Sequence, residues 1–240
     1  MEYFLVIAVL LVIGYIVFRR VFTPSPTHRI SEDLYAVRCL FVNFYVLNTH
    51  VGVVLFDTGI SPRLSAWCLG GTGIASTTVT HIFLTHTDSD HAGGVRAYPQ
   101  AKVYLAEREL AMVDGSTARF AWSHNKPLDY FDSLSDGQVI TVGSSQIKAC
   151  VTPGHTSGST SYLINNRYLI TGDLLRMTRN GDVAPFFRFL NLDHAKLIRS
   201  LKAILPIAER VEYILSGHTG AYKILPSEDE QPVLRGRHFR

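Results

Sequence analysis

The stretch that decides the fold is FLTHTDSDHAGG, Phe83 to Gly94. It sets His86, Asp88, Asp90 and His91 within six residues, behind the apolar run of THIFLTH and ahead of a glycine pair. A short apolar run with a charge cluster at its end reads as a buried strand that delivers polar side chains to a cleft. Charges packed that closely need partners or a metal. Imidazole together with carboxylate suits zinc, iron or manganese.

Working outward, the same pattern recurs. Asp57 closes the strand-like run HVGVVLFDTG. His155 lies in TPGHTSGS, Asp173 ends RYLITGD, and His218 lies in LSGHTG. Each follows an apolar run and sits beside or near glycine. One histidine after a strand is ordinarily a turn or core residue, and His28, His50, His81, His124, His194 and His238 are read that way. Four imidazoles and several carboxylates at successive strand ends are hard to assign to chance.

The remaining elements follow from local patterns. LYAVRCLFVNFYVLN reads as strands, with Asn48-Thr49-His50 as the hairpin before the next one. SPRLSAWCL reads as a short helix, AKVYLA as a strand and ERELAMV as a short helix. Gly115 to Gly137 has no clear period and reads as a loop-rich excursion. QVITVG and QIKACVT pair as strands. TSYLI and RYLITGD form a hairpin around Asn165-Asn166, a pair that tolerates positive φ. LDHAKLIRSLKAIL is an amphipathic helix ended by Pro206, and VEYILSGHTG is a last strand and turn. Strands come first and then alternate with helices, which predicts a mixed α/β (α+β) domain.

The chain has 240 residues and a net charge of +3, with both signs interspersed. There is no dense basic stripe, so no nucleic-acid partner is expected. Cys39, Cys68 and Cys150 are odd in number and far apart, which predicts reduced thiols rather than a disulfide framework.

The N-terminal run Tyr3 to Phe18 carries no charge and is followed by Arg19 and Arg20. It is read as a transmembrane helix, slightly short of the ~20 apolar residues a span needs, with a buried helix as the alternative. A cleaved signal peptide fits worse, because no basic segment precedes the run and no small-residue cleavage site follows it. The arginines place the body on the cytoplasmic side of a single-pass anchor. The expected organisation is an anchor over 1–22, a TPSPTHR linker over 23–30, a domain over 31–222 and a tail over 223–240.

HTDSDH, with the D-T-G strand end, TPGHTSGS, GD and a late GH in the same order, resembles the metallo-β-lactamase-fold superfamily, whose signature is HxHxDH. The resemblance spans roughly Leu34 to Gly220. It implies a four-layered αββα sandwich with a two-metal cleft at one edge. By position, His86 and His155 would bind one metal, Asp90, His91 and His218 the other, and Asp173 would bridge them. Asp57 would support a ligand or the turn from behind. The implied activity is hydrolysis of an ester, thioester, lactone or similar bond in a small-molecule substrate by a metal-bound hydroxide, with Asp90 orienting that nucleophile. Zinc leads among the metals, with iron or manganese as alternatives.

One departure stands out. Asp88 occupies the place of the family's second histidine. As a ligand it would lower the net charge of a two-metal site from +2 to +1 and favour a harder metal. If it does not bind, the first metal is weakly held. Some diiron redox relatives carry a glutamate at this place, so an oxidoreductase is an alternative, and a non-catalytic metal-binding protein is another. The apolar stretch Val183 to Leu190 is read either as core or as an aromatic lip with Arg188 beside it.

Overall fold

Apolar residues on neighbouring positions of the early strands point to opposite faces of one sheet, as the two-residue strand period requires. In the computed structural model, which describes residues 2–120, 123–178 and 180–224, a helix α1 (Glu2–Val21) leads into that sheet. The sheet runs β1 (His28–Arg29), β2 (Leu34–Cys39), β3 (Val42–Thr49), β4 (Gly52–Phe56), β5 (Val79–Phe83), β6 (Lys102–Ala106) and β7 (Asp132–Leu134), in chain order across the sheet. Pairing is antiparallel as far as β4 and parallel from β4 to β7.

The second sheet contains β8 (Val139–Val142), β9 (Ser145–Val151), β10 (Thr160–Ile164) and β11 (Tyr168–Gly172). A ribbon of β12 (Leu175–Met177) and β13 (Val183–Pro185) follows, and then β14 (Tyr213–Ser216) and β15 (Gly220–Lys223) complete the second sheet in the order β15-β14-β11-β10-β9-β8. The helices after α1 are α2 (Pro62–Gly70), α3 (Ser89–Ala92), α4 (Leu110–Val113) and α5 (His194–Ala208).

Alternation sorts the core into three layers of side chains. Leu34, Ala36, Tyr45, Leu47, Val54 and Phe56 meet Ile147, Tyr162, Ile164 and Tyr168 between the sheets. Their chain neighbours Val37, Cys39, Phe44, Val46, Val53 and Leu55 pack outward with Cys68 and Leu69 of α2. Leu163, Leu169 and Ile214 of the second sheet pack outward with Leu197, Leu201 and Ile204 of α5. The layers are therefore helix, sheet, sheet, helix. Ser61 caps α2 by accepting from the Leu64 N–H, and Pro62 sits at its first turn, where its missing N–H costs nothing. At Asn165 and Asn166, φ of 51° and 53° makes the tight turn between β10 and β11. The three cysteines are free thiols in the interior.

Four expectations need correction. Within the Gly115–Gly137 excursion, Asp132–Leu134 forms β7 by pairing with β6; a three-residue strand carries too little periodicity to be seen in sequence. Pro206 does not end α5, which runs to Ala208; in the last turn a proline removes one hydrogen bond, while Ala208 is fully buried against the second sheet. A further strand, β15, follows His218.

The fourth concerns the anchor over residues 1–22. The helix forms, but among the described residues no helix is long and apolar enough to cross a membrane. The uncharged run from Tyr3 to Phe18 has 16 residues and rises about 24 Å, against ~30 Å of hydrocarbon. Arg19 and Arg20 fill its last turn. The tail reading over 223–240 falls, beyond Ile224, outside the described residues.

Candidate metal centre

The eight residues singled out in sequence converge at one edge of the sandwich. Asp57 follows β4, and its φ of 61° turns its carboxylate back under the loop after β5. That loop carries His86 and Asp88, and α3 carries Asp90 and His91. His155 lies between β9 and β10, Asp173 just beyond β11, and His218 between β14 and β15. His86, His91, His155, Asp173 and His218 are each at least 95 % buried.

The imidazoles are held from behind through Nδ1. His91 Nδ1 lies 2.7 Å from Asp57 Oδ2 and His218 Nδ1 2.9 Å from the Phe41 carbonyl. His155 Nδ1 lies 3.1 Å from Asn191 Oδ1. The Asn191 amide nitrogen is committed to the Phe186 carbonyl and to His194 Nδ1, so its oxygen faces His155. His86 Nδ1 lies 2.9 Å from Thr85 Oγ1, which donates its own proton to Asp57 Oδ2 at 2.8 Å. Each Nδ1 therefore carries the proton, and each Nε2 presents a lone pair to the cleft.

Those lone pairs face carboxylate oxygens. His218 Nε2 lies 3.1 Å from Asp173 Oδ2 and 3.3 Å from Asp90 Oδ2. His91 Nε2 lies 3.4 Å from Asp173 Oδ1, and His155 Nε2 3.5 Å from Asp173 Oδ2. Acceptors facing acceptors in a buried site require protons or cations between them. His86 Nε2 and Asp173 Oδ1 are buried with no hydrogen-bond partner. Three overlapping donor sets, His86–Asp88–His155, His86–His91–Asp173 and Asp90–His91–His218, have ligand atoms within 4.8 Å of one another. The donor set fits divalent cations held by imidazole and carboxylate.

Without a cation, protons must fill the role. Burial opposes charge on His218, but Asp173 and Asp90 outweigh it and push its pKa up to about 10. His91 is also buried and also raised, by Asp173, Asp57 and Asp90. Burial opposes ionisation of Asp173, yet His218 and His91 hold it well below the usual carboxylate range. His155 behaves otherwise: burial lowers it despite Asp88 and Asp173.

Sequence reasoning missed three neighbours of Asp88 and His86. Arg119, only 4 % exposed, donates from Nε to both oxygens of Asp88 at 2.8 and 2.7 Å. Its Nη2 reaches the Leu190 carbonyl at 2.6 Å and His155 Nε2 at 3.0 Å. Asn125 donates to Asp88 Oδ1 and Thr87 Oγ1. Glu109, fully buried, accepts from Thr87, Thr156 and Gly158 and ties the His86 loop to the His155 loop. Arg119 and Asn125 lie in the aperiodic excursion, where no spacing rule marks them. Glu109 lies in a short helix whose sequence looks exposed.

The cluster opens into a cavity of about 390 Å³ walled by Phe22, Phe41, Phe120, Phe186 and Leu190. Phe186 stands edge-on to His155, with ring centroids 5.2 Å apart, and stacks on His218 at 5.5 Å. The Val183–Leu190 stretch thus supplies both core and cleft wall. Arg188 is exposed and outside that wall; among the described residues, the cations lining it are Arg119 and Lys126.

Comparison with known proteins locates the chain among relatives. The metallo-beta-lactamase superfamily model matches residues 37–218. "Glyoxylase B2" of Dictyostelium discoideum is 32% identical over 165 residues, covering 66% of this chain and 52% of that protein. The chain therefore spans about half the length of that relative. "Probable metallo-hydrolase YqgX" of Bacillus subtilis is 30% identical over 165 residues, covering 65% of this chain and 75% of the relative. Among solved structures, a B3 metallo-beta-lactamase with an active-site glutamic acid superposes with a TM-score of 0.63 at 22% identity, covering 85% of this chain and 84% of that one.

Proposed function

The chain belongs to the metallo-beta-lactamase superfamily, and from that membership we propose a metal-dependent hydrolase acting on an ester, thioester, lactone or similar bond. The observation that carries the proposal is the row of Nε2 lone pairs facing carboxylate oxygens in a buried cleft. Asp90, His91, Asp173 and His218 would hold a cation, and His86 and His155 face the adjoining position. When bound, the metal supplies an acidified water and a Lewis acid for the scissile carbonyl.

The protein's own residues do the rest. Asp57 and the Phe41 carbonyl keep His91 and His218 in the ligating tautomer. Asp90, 22 % exposed against 4 % for Asp173, is the carboxylate of the pair open to the cleft, and it would orient the attacking water and take its proton. Both oxygens of Asp88 accept from Arg119, so the donors left are imidazoles and two carboxylates, a set that suits zinc. The aromatic wall and Lys126 suit an acyl chain with an anionic end.

The test is a metal-stripped preparation assayed on an ester, thioester and lactone panel, with zinc, manganese and iron restored in turn. Turnover that returns with metal is expected, and no turnover with any metal overturns the proposal. For the acyl reading, Phe186→Ala should lower the preference for longer chains by about tenfold. Equal loss on short and long chains counts against it.

We also propose that α1 associates with a lipid surface. Phe4, Leu11 and Tyr15 are each more than 60 % exposed, and Arg19 and Arg20 follow them. Co-flotation with anionic vesicles that persists after removal of residues 1–22 would refute this.

A further inference from the structure

Arg119 engages two of the three side chains that would hold the first cation of a two-metal site, Asp88 and His155, and leaves His86 Nε2 without a partner. Its Nε holds both oxygens of Asp88. Asn125 takes a further lone pair of the same carboxylate. His155 Nδ1 donates to Asn191 Oδ1, so the Nε2 that meets Arg119 Nη2 at 3.0 Å is the lone pair a metal would need. The Leu190 carbonyl fixes Nη2, and the guanidinium stacks 4.6 Å from the Phe120 ring centroid. The guanidinium is thus held on three sides; Nη1 is buried with no partner, and Arg119 is one of the residues that line the cleft.

The second position is different. Among the described residues, the cationic partners of Asp90 and Asp173 within 4.0 Å are all histidines. Of these, His91 and His218 present lone pairs there, and among the described residues no lysine or arginine pairs with Asp90 or Asp173. The two positions differ in fixed charge, since a divalent ion placed against His86, Asp88 and His155 would lie beside a guanidinium that cannot lose its proton.

We propose that Arg119 replaces the first metal: the protein carries one tightly held divalent ion at Asp90, His91, Asp173 and His218, and Arg119 supplies the second positive charge. The unpartnered Nη1–H is then a donor for a substrate oxygen, the task a first metal would otherwise perform. Asp88, rather than being a weakened ligand, is the anchor that orients this arginine. The inference rests on the metal-dependent reading of the site and specifies its composition.

The test is metal stoichiometry on the full chain. The protein is stripped with chelator and titrated with zinc by calorimetry, and elemental analysis follows dialysis. One tight equivalent is expected, with any second at least about tenfold weaker. Arg119→Ala frees Asp88 and His155, and the second equivalent should then bind at least about tenfold tighter. Arg119→Lys, which keeps the charge without the fork, should stay near the native stoichiometry. Asp88→Asn leaves the tight equivalent in place. Two tight equivalents in the native protein overturn the proposal whether or not the variants fold, and so does loss of the tight equivalent in Asp88→Asn. Absence of any zinc binding overturns the metal-dependent reading itself.

Discussion

Asp57→Asn isolates the support behind the metal ligands. Asp57 lies 2.7 Å from His91 Nδ1 and accepts from the Thr85 N–H and hydroxyl at 2.8 Å each. Its φ of 61° is a conformation asparagine tolerates, so the backbone stays put. The amide has one oxygen and one nitrogen. If the oxygen keeps the two Thr85 donors, the NH2 faces His91 Nδ1 and drives the imidazole to its other tautomer, with a proton on Nε2 where a metal must bind. If the oxygen keeps His91, the NH2 faces two Thr85 donors and loses those bonds. Either way one charge-assisted hydrogen bond is lost, worth ~1.5–3 kcal/mol. Changes of this kind behind a ligand weaken metal binding by about 10–100-fold, or ~1.4–2.7 kcal/mol. The assay is competition with a chromophoric chelator, with circular dichroism to confirm the fold. A folded variant whose affinity is within about threefold of the native protein would refute the claim that Asp57 sets the His91 tautomer.

Two further outcomes follow from the same geometry. In metal-free protein, His91 and His218 have raised pKa values, His218 to about 10. Their stabilising charge is complete below the unfolded value near 6.5 and is lost as pH rises toward 10. Thermal melts should therefore show the stripped protein losing stability across that window while the metal-loaded protein holds it; parallel profiles would refute this. A methyl added at Gly217 would sit 2.7 Å from Asp173 Oδ1 and 2.7 Å from His91 Cε1. Gly217→Ala should cost at least about tenfold in metal affinity, read by the same chelator competition, and native affinity would show that the ligands yield without penalty.

Much of this protein is legible along the chain. The two-residue alternation from Leu34 to Phe56 sorts side chains between an inner and an outer layer, because a strand offers no other choice. The order of Asp57, HTDSDH, His155, Asp173 and His218 after apolar runs marks strand ends that converge at one edge. The Asn165-Asn166 turn is likewise local chemistry. The short strand β7 and the continuation of α5 past Pro206 are not legible, since each depends on a neighbour that closes against it: β6 in one case, the second sheet in the other.

The sequence by itself determined which residue types crowd the cleft and that Asp88 stands in a histidine's place. Only the tertiary structure decided what Asp88 does there. Its partner Arg119 is 31 positions away in a segment without period, and His155, which shares that arginine, is a further 36 positions on. Ion pairing across such separations depends on where loops close and on which carboxylate lone pairs neighbouring strands leave open. Neither is written in local pattern, whereas strand alternation and turn chemistry are.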